Sequence, residues 1–168
     1  MPILVSPIAN TMLRLGIVAA ISAAGAISAA AQNSVVLSLD GKTRDGTTYE
    51  WTLDDLEQMP QAIIHTATPW HDHVVEFEGV KLSDLMHRVG ALGDTAFVVA
   101  LNEYTAEIPI SDFEEWGPIL ALRQDGELMP ISDKGPLFIV YPFGDDAELR
   151  AEKYYLRSVW SVSSITIE

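Results

Sequence analysis

Near the middle of the chain stands IIHTATPW, residues 63–70, and a second apolar run, VVEF, follows at residues 74–77. Both runs are rich in β-branched residues, which favour strands, and turn-like residues around Pro69 separate them. The stretch therefore predicts two neighbouring strands, Ala62–Thr66 and Val74–Phe77.

Strand-like runs continue on both sides of this pair. The apolar run Ala96–Leu101 is typical of a strand covered on both faces, Pro109 indicates a sheet edge, and Asp125-Gly126 favours a hairpin turn. The further predicted strands are Val35–Leu39, Tyr104–Ile110, Pro118–Arg123, Glu127–Ile131, Leu137–Tyr141 and Ser158–Ile167.

Only short helices are expected between the strands. One is predicted from a Thr52 cap to Pro60, a second from a Ser83 cap to Gly90, and a third from a capping box at Ser111–Glu114. The sequence contains no βαβ unit of about 30 residues and no glycine fingerprint of a dinucleotide fold. The predicted fold class is therefore α+β, dominated by strands.

The composition excludes several classes of function. The 168 residues include 10 Lys and Arg against 24 Asp and Glu, which leaves a formal net charge of −14. This charge argues against nucleic-acid binding, because a phosphate backbone repels an acidic surface. Since the chain has no cysteine, it has no disulfide, no thiolate metal ligand and no cysteine nucleophile.

The first 31 residues have the pattern of an export signal. Arg14 is the only charge among them, an apolar run covers Leu15–Ile21, and small residues follow up to Ala29–Ala31. These are the three regions of a cleavable secretory signal peptide. We therefore expect residues 1–31 to be a signal peptide, residues 32–168 to be one domain, and the protein to be periplasmic or secreted. The alternative, a permanent N-terminal anchor, requires roughly 20 apolar residues, more than this run provides.

Three groups of segments have a characteristic order and spacing. The first combines IIHTATPW (63–70) with FEGVKLSDLM (77–86), the second is NEYTAEIPI (102–110), and the third combines KGPLFIVYP (134–142) with RSVW (157–160). Together they resemble the molybdopterin-binding domain of the sulfite oxidase family of oxidoreductases. The resemblance implies a mixed, mostly β domain that holds a pterin phosphate cofactor in a cleft lined by these loops.

The chain departs from this family pattern at chemically important positions. The molybdenum-binding cysteine of the family corresponds to Thr66, four residues before Trp70. Two basic positions of the family correspond to Phe138 and Val159. A neutral hydroxyl is a poor ligand for a metal that prefers thiolates. We therefore expect no metal site and no cofactor. A molybdopterin cofactor is implied only by the resemblance to the family.

The candidate site is a cleft that keeps a ligand without redox chemistry, and no catalytic residue is assigned. Trp70 and Tyr104 would be its aromatic walls, while Lys134 and Arg157 are the nearby cations that could hold a phosphate. The full set of predicted binding residues is His65, Thr66, Trp70, Tyr104, Lys134 and Arg157.

These observations predict an exported, non-catalytic binding or sensing module. Its expected partner is a small molecule or the extracytoplasmic part of a membrane protein. Two alternatives stay open. One is a molybdopterin-dependent oxidoreductase in which the pterin dithiolene supplies the sulfur ligands, and the other is a purely structural subunit.

The segment His71-Asp72-His73 could chelate zinc or copper with His65 as a third ligand, because alternate residues of an extended segment share one side. Against this, solvated loops often contain histidine, and no second cluster supplies further ligands. The preferred interpretation is that no metal binds here. The same imidazoles could respond to pH near their ordinary pKa of about 6.5.

Overall fold

The computed structural model describes residues 34–168. The strands in this range are β1 (Val35–Gly41), β2 (Tyr49–Thr52), β3 (Gln61–Ala67), β4 (Val74–Lys81), β5 (Thr95–Ala100), β6 (Thr105–Pro109), β7 (Ile119–Gln124), β8 (Glu127–Leu128), β9 (Phe138–Val140) and β10 (Val162–Ile167). The α-helices are α1 (Leu53–Glu57), α2 (Leu82–Val89), α3 (Ser111–Glu115) and α4 (Glu152–Arg157), and a 3₁₀ turn covers Glu148–Arg150. The strand-dominated α+β class is confirmed.

The first sheet has the strand order β2-β1-β10-β5-β6. Strand β1 runs parallel to β10, and the other pairs are antiparallel. Pro109 lies in the edge strand β6, as predicted, since proline has no amide hydrogen to donate to a further strand. Residues of β5 alternate between buried and half-buried positions, so the prediction of two fully covered faces was wrong.

The second sheet has the order β3-β4-β7-β8, and β9 also pairs with β7. Strands β7 and β8 form the predicted hairpin, with Asp125 at φ 50° and Gly126 at φ 82°. Both residue types tolerate this left-handed region. Among the strands of the described part of the chain, β3 is an edge of this sheet, and its last residues lead directly into the loop that carries Trp70.

Two hydrophobic clusters lie on opposite faces of the second sheet. The larger one contains residues of both sheets and one or more from each helix, such as Leu56, Leu85, Phe113 and Tyr154. The smaller one comprises Val75, Phe77, Ile119, Ala121, Met129, Phe138 and Val140. Trp70 packs against both clusters, so the loop after β3 is anchored at the point where they meet.

One of the three predicted helix caps is confirmed. Thr52 caps α1: its hydroxyl accepts the Asp55 amide at 3.2 Å, while the Asp55 carboxylate accepts the Thr52 amide at 2.9 Å. The predicted caps Ser83 and Ser111 lie inside α2 and α3 instead, and neither helix has a side-chain cap. Burial of their apolar faces stabilises these helices without the capping hydrogen bond.

Strand β2 and helix α4 were not predicted. Both are short, and four to six residues contain too little periodicity to identify an element from sequence. Helix α4 is held by packing, since Tyr154 is buried in the larger cluster. Within residues 34–168, no helix is both long enough and apolar enough to cross a membrane.

Candidate ligand-binding cavity

The loop after β3 places Trp70 through a tight local turn. The Trp70 amide donates to the Thr68 hydroxyl at 3.2 Å, and this hydroxyl also lies 2.6 Å from Nδ1 of His71. Thr68 is buried, with 7% of its surface exposed. Side chains of Ser and Thr commonly close turns of this kind, so the position of Trp70 follows from its immediate neighbours.

Trp70 is the centre of an aromatic cluster. Its ring lies 5.6 Å from Trp160, 5.7 Å from Phe138, 6.1 Å from Tyr155 and 6.4 Å from Phe143, measured between centroids. All four contacts are edge-to-face, the arrangement that aromatic quadrupoles favour. The cluster joins the loop after β3 to β9, to α4 and to Trp160, which lies just before β10.

A cavity of approximately 350 Å³ opens beside this cluster, and we call it the aromatic cavity. Its lining includes four aromatic residues, Trp70, Tyr104, Tyr155 and Trp160. The polar side chains at its border are Asn102, Glu152 and Ser158, and the aliphatic ones are Leu156 and Val159. A mostly apolar concavity with a few polar groups is typical of small-molecule sites.

Tyr104 closes the aromatic cavity on the side of β6. Its hydroxyl donates to the carbonyl of Leu156 in α4 at 2.9 Å, and its amide donates to Oδ1 of Asn102 at 3.2 Å. The side chain is 41% exposed. The hydrogen bond to Leu156 therefore fixes an otherwise accessible ring as a wall.

A second cavity, of approximately 510 Å³, lies on the other side of Tyr155. Its border differs in charge because it includes Arg150, whose Nε donates to the Phe143 carbonyl at 3.2 Å. The loop residues Ala67, Thr68, Pro69 and Gly144 form the rest of its lining together with Phe143 and Tyr155.

Thr66 lies under this second cavity without lining it. It is 1% exposed, and its hydroxyl accepts the Gly144 amide at 3.1 Å and donates to the Ala67 carbonyl at 3.3 Å. The hydroxyl therefore connects the end of β3 to the loop after β9. Both of its hydrogen-bonding roles are directed at backbone groups.

The amino-acid sequence was also compared with models of known protein families. The model described as "Oxidoreductase molybdopterin binding domain" matches residues 24–144. The chain belongs to this family. No curated protein sequence matches it. The match ends before α4, so Tyr155, Trp160 and Glu152 border the aromatic cavity from outside the matched range.

The donor groups of this chain do not fit a molybdenum-bearing pterin. At the position to which the sequence resemblance assigns the family's cysteine, Thr66 has a hydroxyl that is buried and engaged by two backbone groups. Molybdenum sites favour soft thiolates, which a protonated threonine does not replace. Among residues 34–168, no group of three or more His, Cys, Asp or Glu side chains is arranged to hold a metal ion.

The structure brings only two of the predicted binding residues, Trp70 and Tyr104, to the aromatic cavity. His65 points away from Thr66 because successive strand residues face opposite sides, and its Nε2 lies 3.0 Å from the Glu76 carboxylate. Lys134 Nζ is paired with Asp133 at 2.8 Å. A binding role for His65 and Lys134 stays a prediction.

Arg157 is part of a polar network in the core. Its Nη1 donates to Oδ2 of Asp112 at 2.7 Å, and the Tyr141 hydroxyl donates to the same oxygen at 2.9 Å. Asp112 is 5% exposed. Burial, and then the Asp112 carboxylate, raise the pKa of Tyr141 far above its ordinary value, so this hydroxyl stays a donor. Arg157 thus balances a buried charge, and its role in ligand binding stays a prediction.

Sequence reasoning did not assign Tyr155, Glu152 or Trp160 to the site. All three border the aromatic cavity. One signal was available, because Glu152, Tyr155 and Leu156 have the i, i+3, i+4 spacing of one helix face. That signal becomes useful only once α4 is known to exist.

The three histidines considered as metal ligands do not converge on one point. His71 contacts Thr68, His73 Nδ1 lies 2.8 Å from Asp72 and its Nε2 lies 3.6 Å from Asp125, and His65 contacts Glu76. The rings of His71 and His73 are 6.4 Å apart. Each imidazole therefore has its own partner.

We predict that His71 and His73 titrate on opposite sides of the ordinary value of 6.5. Hydrogen bonds to Asp72 and then Asp125 raise the pKa of His73, whereas burial and then the Lys134 charge lower the pKa of His71. As the pH falls through 6.5, protonation of His71 favours the unfolded chain, while protonation of His73 favours the folded one.

Nuclear magnetic resonance titration of the imidazole signals measures both values directly. The variant Asp72→Asn should lower the pKa of His73 and leave that of His71 almost unchanged. Equal pKa values for His71 and His73 in the native protein would contradict the hydrogen bonds assigned to His73.

Proposed function

We propose that this chain is an exported, non-catalytic member of the molybdopterin-binding domain family that binds a small molecule in the aromatic cavity. The proposal depends on the chemistry and burial of the side chain at position 66, which is Thr66. Where the sulfite oxidase resemblance places a metal-binding thiolate, this chain has a buried hydroxyl that already serves Gly144 and Ala67.

The state of the two cations that were predicted to hold a phosphate supports a role without the pterin phosphate. Arg157 is bound to Asp112 at 2.7 Å and Lys134 to Asp133 at 2.8 Å. A phosphate would compete with these carboxylates, and if it displaced Asp112 from Arg157 it would leave a buried carboxylate without its cation. The two predicted phosphate ligands are therefore already engaged.

The aromatic cavity supports retention of a binding role. Loss of a cofactor could have let bulky side chains such as Phe138 fill the cleft, yet approximately 350 Å³ remains open beside Trp70. This volume lies at the lower end of the range of about 300–1,000 Å³ that small-molecule sites occupy. The proposed ligand is correspondingly small.

Export is proposed from the sequence pattern of residues 1–31, which lie outside the described residues. An unpaired arginine before a short apolar run is typical of a route that carries unfolded chains. A folded, cofactor-loaded enzyme does not suit that route. The proposed location is the periplasm or the exterior, where the partner would be a small molecule or the extracytoplasmic part of a membrane protein.

Metal and pterin content tests the absence of a redox cofactor. We expect the full chain, purified from cells that make molybdopterin and are supplied with molybdate, to contain far less than one molybdenum and one pterin per chain. A sulfite oxidase family enzyme that retains its cysteine, produced in the same cells, is the positive control. Near-stoichiometric molybdenum and pterin in this chain would overturn the proposal.

The same measurement decides the second candidate, a molybdopterin-dependent oxidoreductase. The family match over residues 24–144 is the observation that favours it. In that case the pterin dithiolene would supply the sulfur ligands, and Thr66→Val should leave the metal content unchanged because the threonine contributes no ligand. Under the proposed function neither protein contains metal.

A further inference from the structure

We infer that the aromatic cavity binds a small organic cation of the quaternary ammonium class, and this inference rests on the proposed function. The argument starts from the shape of the walls. Trp70 meets Trp160 at an interplanar angle of 89° and Tyr155 at 80°. Tyr104 completes the set of four aromatic rings.

These angles show that the aromatic walls do not form one flat stacking surface. The negative faces of aromatic rings attract a cation, and several rings around one methylated ammonium give the strongest form of this contact. A flat aromatic ligand would instead require two roughly parallel walls. The angles among Trp70, Trp160 and Tyr155 therefore favour a compact cation.

The charges at the border point the same way. Of the residues that the structure describes, Glu152 is the one carboxylate that lines the cavity, and no Lys, Arg or His lines it. Within residues 34–168, Glu152 forms no ion pair, whereas the neighbouring Lys153 is paired with Glu148 at 3.2 Å. The net charge of −14 adds a general attraction for cations. By contrast, the second cavity contains Arg150.

Hydrogen bonding explains why an anion is disfavoured. The hydroxyl protons of Tyr104 and Ser158 are donated to the carbonyls of Leu156 and Tyr154, both at 2.9 Å. An anion in the cavity would therefore find no Lys, Arg or His side chain of residues 34–168, and neither of these two hydroxyl protons. A quaternary ammonium needs none, because its methyl groups neither donate nor accept strong hydrogen bonds.

Binding of three probes to the full-length protein tests this inference. We expect choline and tetramethylammonium to bind by titration calorimetry, and the neutral carbon isostere of choline, 3,3-dimethylbutan-1-ol, to bind at least about tenfold more weakly. Acetate should not bind. Equal affinity for choline and the neutral alcohol, preference for acetate, or no binding of either cation at millimolar concentrations would overturn the inference.

Variants of Tyr104 separate the ring from the hydroxyl. Since Tyr104 is 41% exposed, its replacement should leave the fold intact. Tyr104→Phe keeps the ring and should retain most of the affinity for choline, while Tyr104→Leu should weaken it about tenfold. Equal loss in both variants would mean that the ring face of Tyr104 adds no affinity for choline, which would overturn the inference.

Glu152→Gln tests the charge, and Glu127→Gln is its matched control. Both residues are exposed, but Glu127 lies on the β7–β8 hairpin, away from the aromatic cavity. Glu152→Gln should weaken choline binding severalfold, less so at high salt, and Glu127→Gln should not. If both variants weaken choline binding equally, Glu152 acts only through the net charge of the protein. That result would contradict its place in the site.

The outcomes also distinguish this inference from the proposed function. Near-stoichiometric molybdenum would overturn the proposed function whatever the probes do. If the metal is absent and a neutral or anionic probe binds better than choline, the proposed function stands and only the cation inference fails.

Discussion

Replacing Trp70 by alanine is expected to lower the free energy of unfolding by about 3 kcal/mol, the lower end of the range for deleting a large aromatic side chain. The ring is half-buried and makes edge-to-face contacts with Phe138, Phe143, Tyr155 and Trp160. Its loss would leave a hole at the point where the two hydrophobic clusters meet. Urea denaturation followed by circular dichroism measures the change.

Trp70→Phe is the matched control for this prediction. It retains an aromatic ring at the same place, so it should cost less than half as much as alanine. If Trp70→Ala costs under about 1 kcal/mol, the cluster does not anchor the loop and the aromatic cavity has no rigid wall on that side. Choline binding to the alanine variant should be lost even where the protein remains folded.

Asp112→Asn is expected to destabilise the protein by about 3 kcal/mol. The substitution keeps the shape of the side chain but removes the charge that faces Arg157 at 2.7 Å. Arg157 is 22% exposed along its side chain, so part of its charge can still reach water. For that reason we place the effect at the lower end of the range for breaking a buried pair.

Two further variants identify the cause. Tyr141→Phe removes only the second hydrogen bond to Asp112 and should cost about 1 kcal/mol. The double variant Asp112→Asn with Arg157→Met should recover much of the lost stability, because no unpaired cation remains. Glu148→Gln, which breaks the exposed pair with Lys153, should change little. If the double variant loses as much stability as the two single variants together, the effect of Asp112→Asn does not come from the ion pair with Arg157.

Most of the secondary structure could be predicted because its signals are local. The Thr52 cap, the αL stop at Gly90, and the Asp125-Gly126 hairpin each depend on residues within one turn. The Ser111 cap failed for the opposite reason. A capping pattern is only a local preference, and the apolar face around Phe113 determined where α3 begins.

The candidate site could be predicted only in part. Trp70 and Tyr104 were identified because both lie in segments that resemble the family, and both border the cavity. Arg157 was assigned to a ligand because the sequence shows a cation without its partner. Asp112, its partner, is 45 residues away in the chain, and only the folded structure brings the two together.

The amino-acid sequence by itself determined the family, the strand-dominated class, and the hydroxyl at position 66 where a thiolate would be expected. These are properties of residue identity and of neighbours along the chain. The tertiary structure alone decided which cations are neutralised, which aromatic residues line a cavity, and that Glu152 borders this cavity without an ion pair to any of residues 34–168. Pairing, enclosure and burial depend on distances between residues far apart in the chain, and those distances exist only after the two sheets have packed.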